Sequence, residues 1–95
     1  MDIRWIENAR AAFVRIYGEK RGAAVCNAVI PGVLGDFRKM LTKAADGETV
    51  TETYRIDDLR ADVFLAGHRA GGTLYLTRLV VGGESVDLGG EALRI

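Results

Sequence analysis

The chain has one cysteine, one proline, one histidine and one tryptophan, and its formal net charge is zero. Each scarcity closes off a class of function. A lone Cys26 forms no internal disulfide, which fits a reducing compartment better than secretion. One cysteine and one histidine are too few for a Cys/His metal centre within the chain. Thirteen basic residues against thirteen acidic ones remove the simplest argument for nucleic acid, a strongly basic surface. No apolar run approaches the ~20 residues that cross a bilayer, so no membrane contact is expected. The opening stretch MDIRWIENARAAF carries charges at short intervals and has no apolar stretch of the signal-peptide kind. The cytoplasm is therefore the default location.

What is present fits an ordinary folded domain. Ninety-five residues, 48% apolar, are expected to form a single domain, residues 1–95, with one modest core. Its halves differ. Residues 1–47 carry eight basic and five acidic groups, residues 48–95 five and eight, a mild asymmetry of about +3 against −3.

The first half reads as helices. Trp5, Ile6, Ala9, Ala12, Phe13, Ile16 and Tyr17 recur at three- and four-residue spacing, which places them on one helical face. Asp2 suits the cap before this helix and Gly18 the stop after it. The stretch PGVLGDFRKMLTKAADG repeats the pattern with Val33, Leu34, Phe37, Met40, Leu41 and Ala44; Pro31 fits its first turn and Gly47 its end. Between them, EKRGAAVCNAVI is too uniformly small to show a period. It is read as a short buried helix ending before Pro31.

The second half reads as strands. ETVTETYRI, ADVFLAGH, TLYLTRLVV and ESVDL are rich in β-branched and aromatic residues and are separated by DDLR, RAGG and GG. Helices first and closely spaced strands afterwards predict an α+β fold. Two or three N-terminal helices (1–47) pack on one face of a C-terminal antiparallel meander of about four strands (48–95).

The most site-like stretch is LAGHRAGGTLYL, Leu65 to Leu76, whose glycines sit beside the only histidine. A phosphate loop needs a helix after its glycines and a Gly-Lys-Ser/Thr, and here a strand pattern follows. The dinucleotide spacing G-x-G-x-x-G is absent as well. The glycines turn a hairpin, and His68 is expected to be solvated at its tip. Cys26, among small residues, reads as an inert buried thiol. Asp57, Asp58 and Asp62 lack the spacing of a calcium loop; the first two suit a turn, and Asp62 can pair across strands with Arg55. Neither catalytic residues nor a cofactor or metal site is assigned. An enzyme would require His68, Tyr75, Cys26 or the aspartates to converge in space.

The sheet carries the better clue. Setting Ile56 opposite Ala61, His68 opposite Thr73 and Val81 opposite Glu84 gathers Val50, Tyr54, Ile56, Ala61, Val63, Leu65, Leu74, Leu76 and Val80 on a core face. The same register puts Phe64, Tyr75, Leu79, Val81, Val86 and Leu88 on the other face, with Arg78 and Asp87 on the core side. A sheet packed on one side should be polar there. Three explanations compete: the helices or the tail GGEALRI wrap the second face, a turn shifts the register by one, or the face is an intermolecular surface.

The last predicts a small protein-binding module acting by stoichiometric contact, of the inhibitor, immunity, antitoxin or viral accessory type. It would bind a protein partner through Phe64, Tyr75, Leu79, Val86 and Leu88 and form a homodimer. The alternative is a nucleic-acid-binding regulator using Arg15, Lys20, Arg21, Arg38, Lys39 and Lys43.

Overall fold

The computed structural model describes residues 4–56 and 61–95, with the backbone alone for Arg4 and Ala61. Asp2, Asp57, Asp58 and the side chain of Ala61 lie outside what is described. Two helices, α1 (Arg4–Tyr17) and α2 (Glu19–Lys43), precede an antiparallel sheet. Its strands are β1 (Thr49–Ile56), β2 (Ala61–Ala70), β3 (Thr73–Val81), β4 (Glu84–Ser85) and β5 (Leu93–Arg94). The first four pair in the order β1-β2-β3-β4, and β5 pairs with β3 beyond the short β4. This is the expected α+β layout of N-terminal helices and a C-terminal meander. Among the described residues no helix is long and apolar enough to cross a membrane.

The helices form a hairpin joined by one residue, Gly18, at φ 93°. Trp5, Ala9, Ala12 and Phe13 are the buried stripe of α1, while Ile16, expected on that face, is exposed. The expected break before Pro31 does not occur, because α2 runs unbroken through it. Proline inside a helix leaves the carbonyl four residues back without its donor. Here both Pro31 and Asn27 are solvent-exposed, so water can satisfy that carbonyl. Once the helix is continuous, Gly22, Cys26, Ile30, Phe37 and Leu41 make one buried stripe along it. Gly22 lets the helices close: a Cβ there would lie 2.5 Å from the Phe13 carbonyl oxygen.

Three links seat the helices on the sheet. Arg15 forms an ion pair with Glu84, its Nε donating at 2.6 Å. The Tyr54 hydroxyl donates to Asp36 at 2.6 Å. Arg69 donates to the Thr42 carbonyl in the last turn of α2 at 3.0 Å, where a cation also meets the negative end of the helix dipole.

The β2–β3 hairpin turns on Gly71 and Gly72, with Ala70 opposite Thr73. Gly71 has φ 61°, the geometry that two-residue turns require at their first position. His68 thus stands inside the strand, opposite Tyr75, and not at the tip. The two-residue difference from the expected register preserves which side chains share a face.

A second irregularity does not preserve it. Ala66 pairs with Arg78 and Gly67 with Leu76, so Thr77 is an extra residue, a β-bulge, on β3. Beyond it every side chain changes face. Leu79 and Val81 turn toward the helices and are buried, while Arg78 and Val80 turn away. Val86 and Leu88, after β4, also belong to the helix-side core. The tail does not wrap the second face; its Leu93 is buried against the core, opposite Leu76.

Candidate functional site

The helices cover one face of the sheet. Register places Thr49, Thr51, Thr53 and Arg55 of β1 on the opposite face. Phe64, Ala66 and His68 of β2 join them there, with Tyr75, Arg78 and Val80 of β3. Phe64, Tyr75 and Val80 are half-buried, yet none is part of the core. Two ring contacts are made on this face. The His68 and Tyr75 rings stack with centroids 5.3 Å apart, and the Arg78 guanidinium lies 5.9 Å from the centre of the Phe64 ring. Such aromatic and cation–π contacts each contribute about 0.5–1.5 kcal/mol and hold the rings in defined positions.

The expected contact set therefore divides. Phe64 and Tyr75 stand on the open face. Leu79, Val86 and Leu88 do not: they are 1%, 8% and 7% exposed and pack in the core under the helices. The bulge at Thr77 is the physical reason for Leu79. For Val86 and Leu88 the reason is that only Glu84 and Ser85 continue as a strand, after which the chain folds inward. His68, Arg78 and Val80 join the face instead. The sequence does contain a signal for this, because Thr77 and Arg78 are two adjacent polar residues where alternation allows one.

Charge on this face is uneven. Arg55, Arg78 and, opposite Tyr75, Arg94 are set against Asp62 alone among the described strand residues. Arg55 and Asp62 stand opposite each other in the β1–β2 register, but the expected ion pair between them is not formed.

The basic residues of the helices do not form one patch. Arg15 is engaged by Glu84. Lys20 and Arg21 lie at the start of α2, whereas Arg38, Lys39 and Lys43 lie near its end, about 27 Å further along the axis.

Cys26 is 2% exposed, and burial pushes its thiol pKa up, with Arg10 pulling weakly the other way. It sits among the helices, on the far side of the sheet from His68 and Tyr75. Asp87 does not face the core either; it is exposed, and its carboxylate accepts from the Gly89 amide at 2.8 Å. Among the described residues no group of three or more His, Cys, Asp or Glu side chains is placed to hold a metal ion.

Comparison with protein-family models, with curated proteins and with solved structures finds no match to this chain.

Proposed function

We propose that this chain is a small protein-binding module that acts by stoichiometric contact through the open face of its sheet. The observation that supports this reading is the one-sided cover of the sheet, which leaves Phe64, His68, Tyr75 and Val80 outside the core. Aromatic residues and arginine are the types that anchor interfaces. The three arginines around them favour an acidic partner surface by charge complementarity.

Self-association uses a different part of the sheet. Stacking two such faces would bring arginines against arginines. Among the described residues nothing pairs with the outer edge of β1, and the strand carries no proline and no lysine, the usual guards of an exposed edge. Antiparallel pairing of two β1 strands about Thr53 sets Val50 against Ile56 and Glu52 against Tyr54 of the second copy. Centring on Glu52 instead would oppose two carboxylates. The dimer is one continuous sheet whose open face carries the aromatic cluster twice.

Two measurements test these parts. A protein partner should be retained by the wild type at high salt and after nuclease, and should be lost by the doubly substituted Phe64→Ser/Tyr75→Ser. Retention that disappears with nuclease would replace this reading with nucleic-acid binding. Sedimentation should show a dimer that Thr53→Lys converts to monomer, since the exchange opposes two cations on the two-fold axis. An unchanged mass would overturn the β1 interface.

A further inference from the structure

A cavity of about 420 Å³ opens on the helical side of the molecule, between the start of α1, the middle of α2 and β5. It is remote from the open sheet face in its chemistry. Trp5, Ile30 and Leu93 are buried in its floor, with half-buried Leu34 beside them. Its only charged wall residues among those described are Arg38 and Arg94, both exposed and therefore at its mouth. Arg94, on the edge strand β5, borders both the open face and this opening. Neither arginine forms an ion pair among the described residues, and no carboxylate side chain lines the wall.

A second observation bears on the same wall. The Trp5 indole is 3% exposed, and among the described residues its Nε1 donor has no acceptor. Buried indole N–H groups normally find one. The cavity therefore joins an apolar floor to a mouth that carries two arginine side chains. Its volume falls within the range of small-molecule sites, which are mostly apolar with a few placed polar groups.

We propose that this cavity binds a single-chain amphiphilic carboxylate. The hydrocarbon lies along Trp5, Ile30, Leu34 and Leu93, and the carboxylate lies between Arg38 and Arg94. An uncharged chain gains only the apolar part of this arrangement. A carboxylate adds charge-assisted hydrogen bonds, strongest from arginine.

The chain reports its own occupancy, because Trp5 is its one tryptophan. Decanoate below its micellar concentration should change Trp5 fluorescence saturably, with an affinity about tenfold above that of decanol. The double substitution Arg38→Gln/Arg94→Gln should remove that tenfold advantage and leave decanol unchanged. Gly35, in the cavity wall, has open space where a Cβ would stand. Gly35→Leu should fill the cavity and abolish both responses while the far-UV circular dichroism stays the same. The proposal is overturned if neither probe gives a saturable response in the wild type. It is equally overturned if decanoate keeps its advantage without the two arginines, or if binding survives Gly35→Leu.

Discussion

The Arg78 guanidinium carbon lies 5.9 Å from the centre of the Phe64 ring, on the side of the sheet that the helices leave open. Strict alternation along β3 would bury Arg78 and expose Leu79. One extra residue, Thr77, reverses both. Its hydroxyl donates to the Ala66 carbonyl at 3.1 Å, which fastens the bulge to the neighbouring strand. The bulge therefore decides at once what is core and what is available for contact.

Deleting Thr77 follows as an unusual prediction. The deletion leaves Leu76, Arg78 and Leu79 opposite Gly67, Ala66 and Leu65 in unbroken register. Every downstream side chain keeps its face. The shortened protein should still unfold cooperatively, with a loss of about 1 kcal/mol for the missing hydrogen bond. Deleting Val80, three residues on, has no bulge to absorb it and turns Val81 out of the core. Thermal denaturation should show a cooperative transition for the first deletion and none for the second. The reverse order would refute the assigned register.

Leu79 and Phe64 should likewise separate stability from contact. Leu79→Ala removes a fully packed side chain and should cost about 2–5 kcal/mol in urea denaturation. Phe64→Ser removes a ring that is outside the core and held by Arg78. Its cost should lie near the ~0.5–1 kcal/mol of an exposed cation–π contact plus part of the ring's burial. A Phe64→Ser variant as unstable as Leu79→Ala would mean that the open face is structural.

The layout of this fold was legible in its sequence because its signals are local. Helical spacing from Trp5 to Tyr17, alternation from Thr49 to Ile56, and paired glycines at 71–72 and 82–83 each act within a few residues. The open face was only half legible. Phe64 and Tyr75 precede the bulge along the hairpin and were placed correctly, whereas Leu79 follows it and was not. A bulge costs little locally, so composition gives no strong warning; only the adjacent Thr77 and Arg78 mark it. Pro31 misled in the opposite direction. Its penalty is real, but two exposed positions on α2 let solvent offset it, and the small-residue stretch around Cys26 then shares the stripe of the following segment. The cavity beside Trp5 was invisible, since its walls come from residues more than sixty positions apart.

Two glycines of α2 should respond oppositely to alanine. Helix propensity alone favours alanine by about 1 kcal/mol at either position. At Gly35 nothing lies within 4 Å of the added methyl, so Gly35→Ala should raise the melting temperature. At Gly22 the same methyl would stand 2.5 Å from the Phe13 carbonyl oxygen, and backbone must move to admit it. Overpacking of this kind costs about 1–3 kcal/mol, which exceeds the propensity gain. Gly22→Ala should therefore lower the melting temperature. Two shifts of the same sign would show that the α1–α2 contact is looser than described.

Alkaline pH tests the link between α2 and β1. The Tyr54 hydroxyl has its pKa raised well above the usual tyrosine value. Burial is the largest cause, followed by its hydrogen bond to Asp36 and the negative charges of Asp36 and Glu52. A group whose pKa is raised on folding contributes stability that is complete below its unfolded value, about 10 for tyrosine, and is lost as pH climbs toward the folded value. The folded state therefore resists ionisation of Tyr54 that the unfolded chain undergoes freely, and stability should decline from about pH 10 upward. Tyr54→Phe should cost about 1 kcal/mol at neutral pH through the lost hydrogen bond. Its decline above pH 10 should also be shallower, because one of the ionisations that drives unfolding is gone. Tyr17 and Cys26, both raised by burial, act in the two proteins alike, so the difference between the curves isolates Tyr54. Urea denaturation of both proteins between pH 7 and 11 measures it. Parallel curves would mean that Tyr54 is as free to ionise in the folded protein as in the unfolded chain, and that its contact with Asp36 does not hold the strand to the helix.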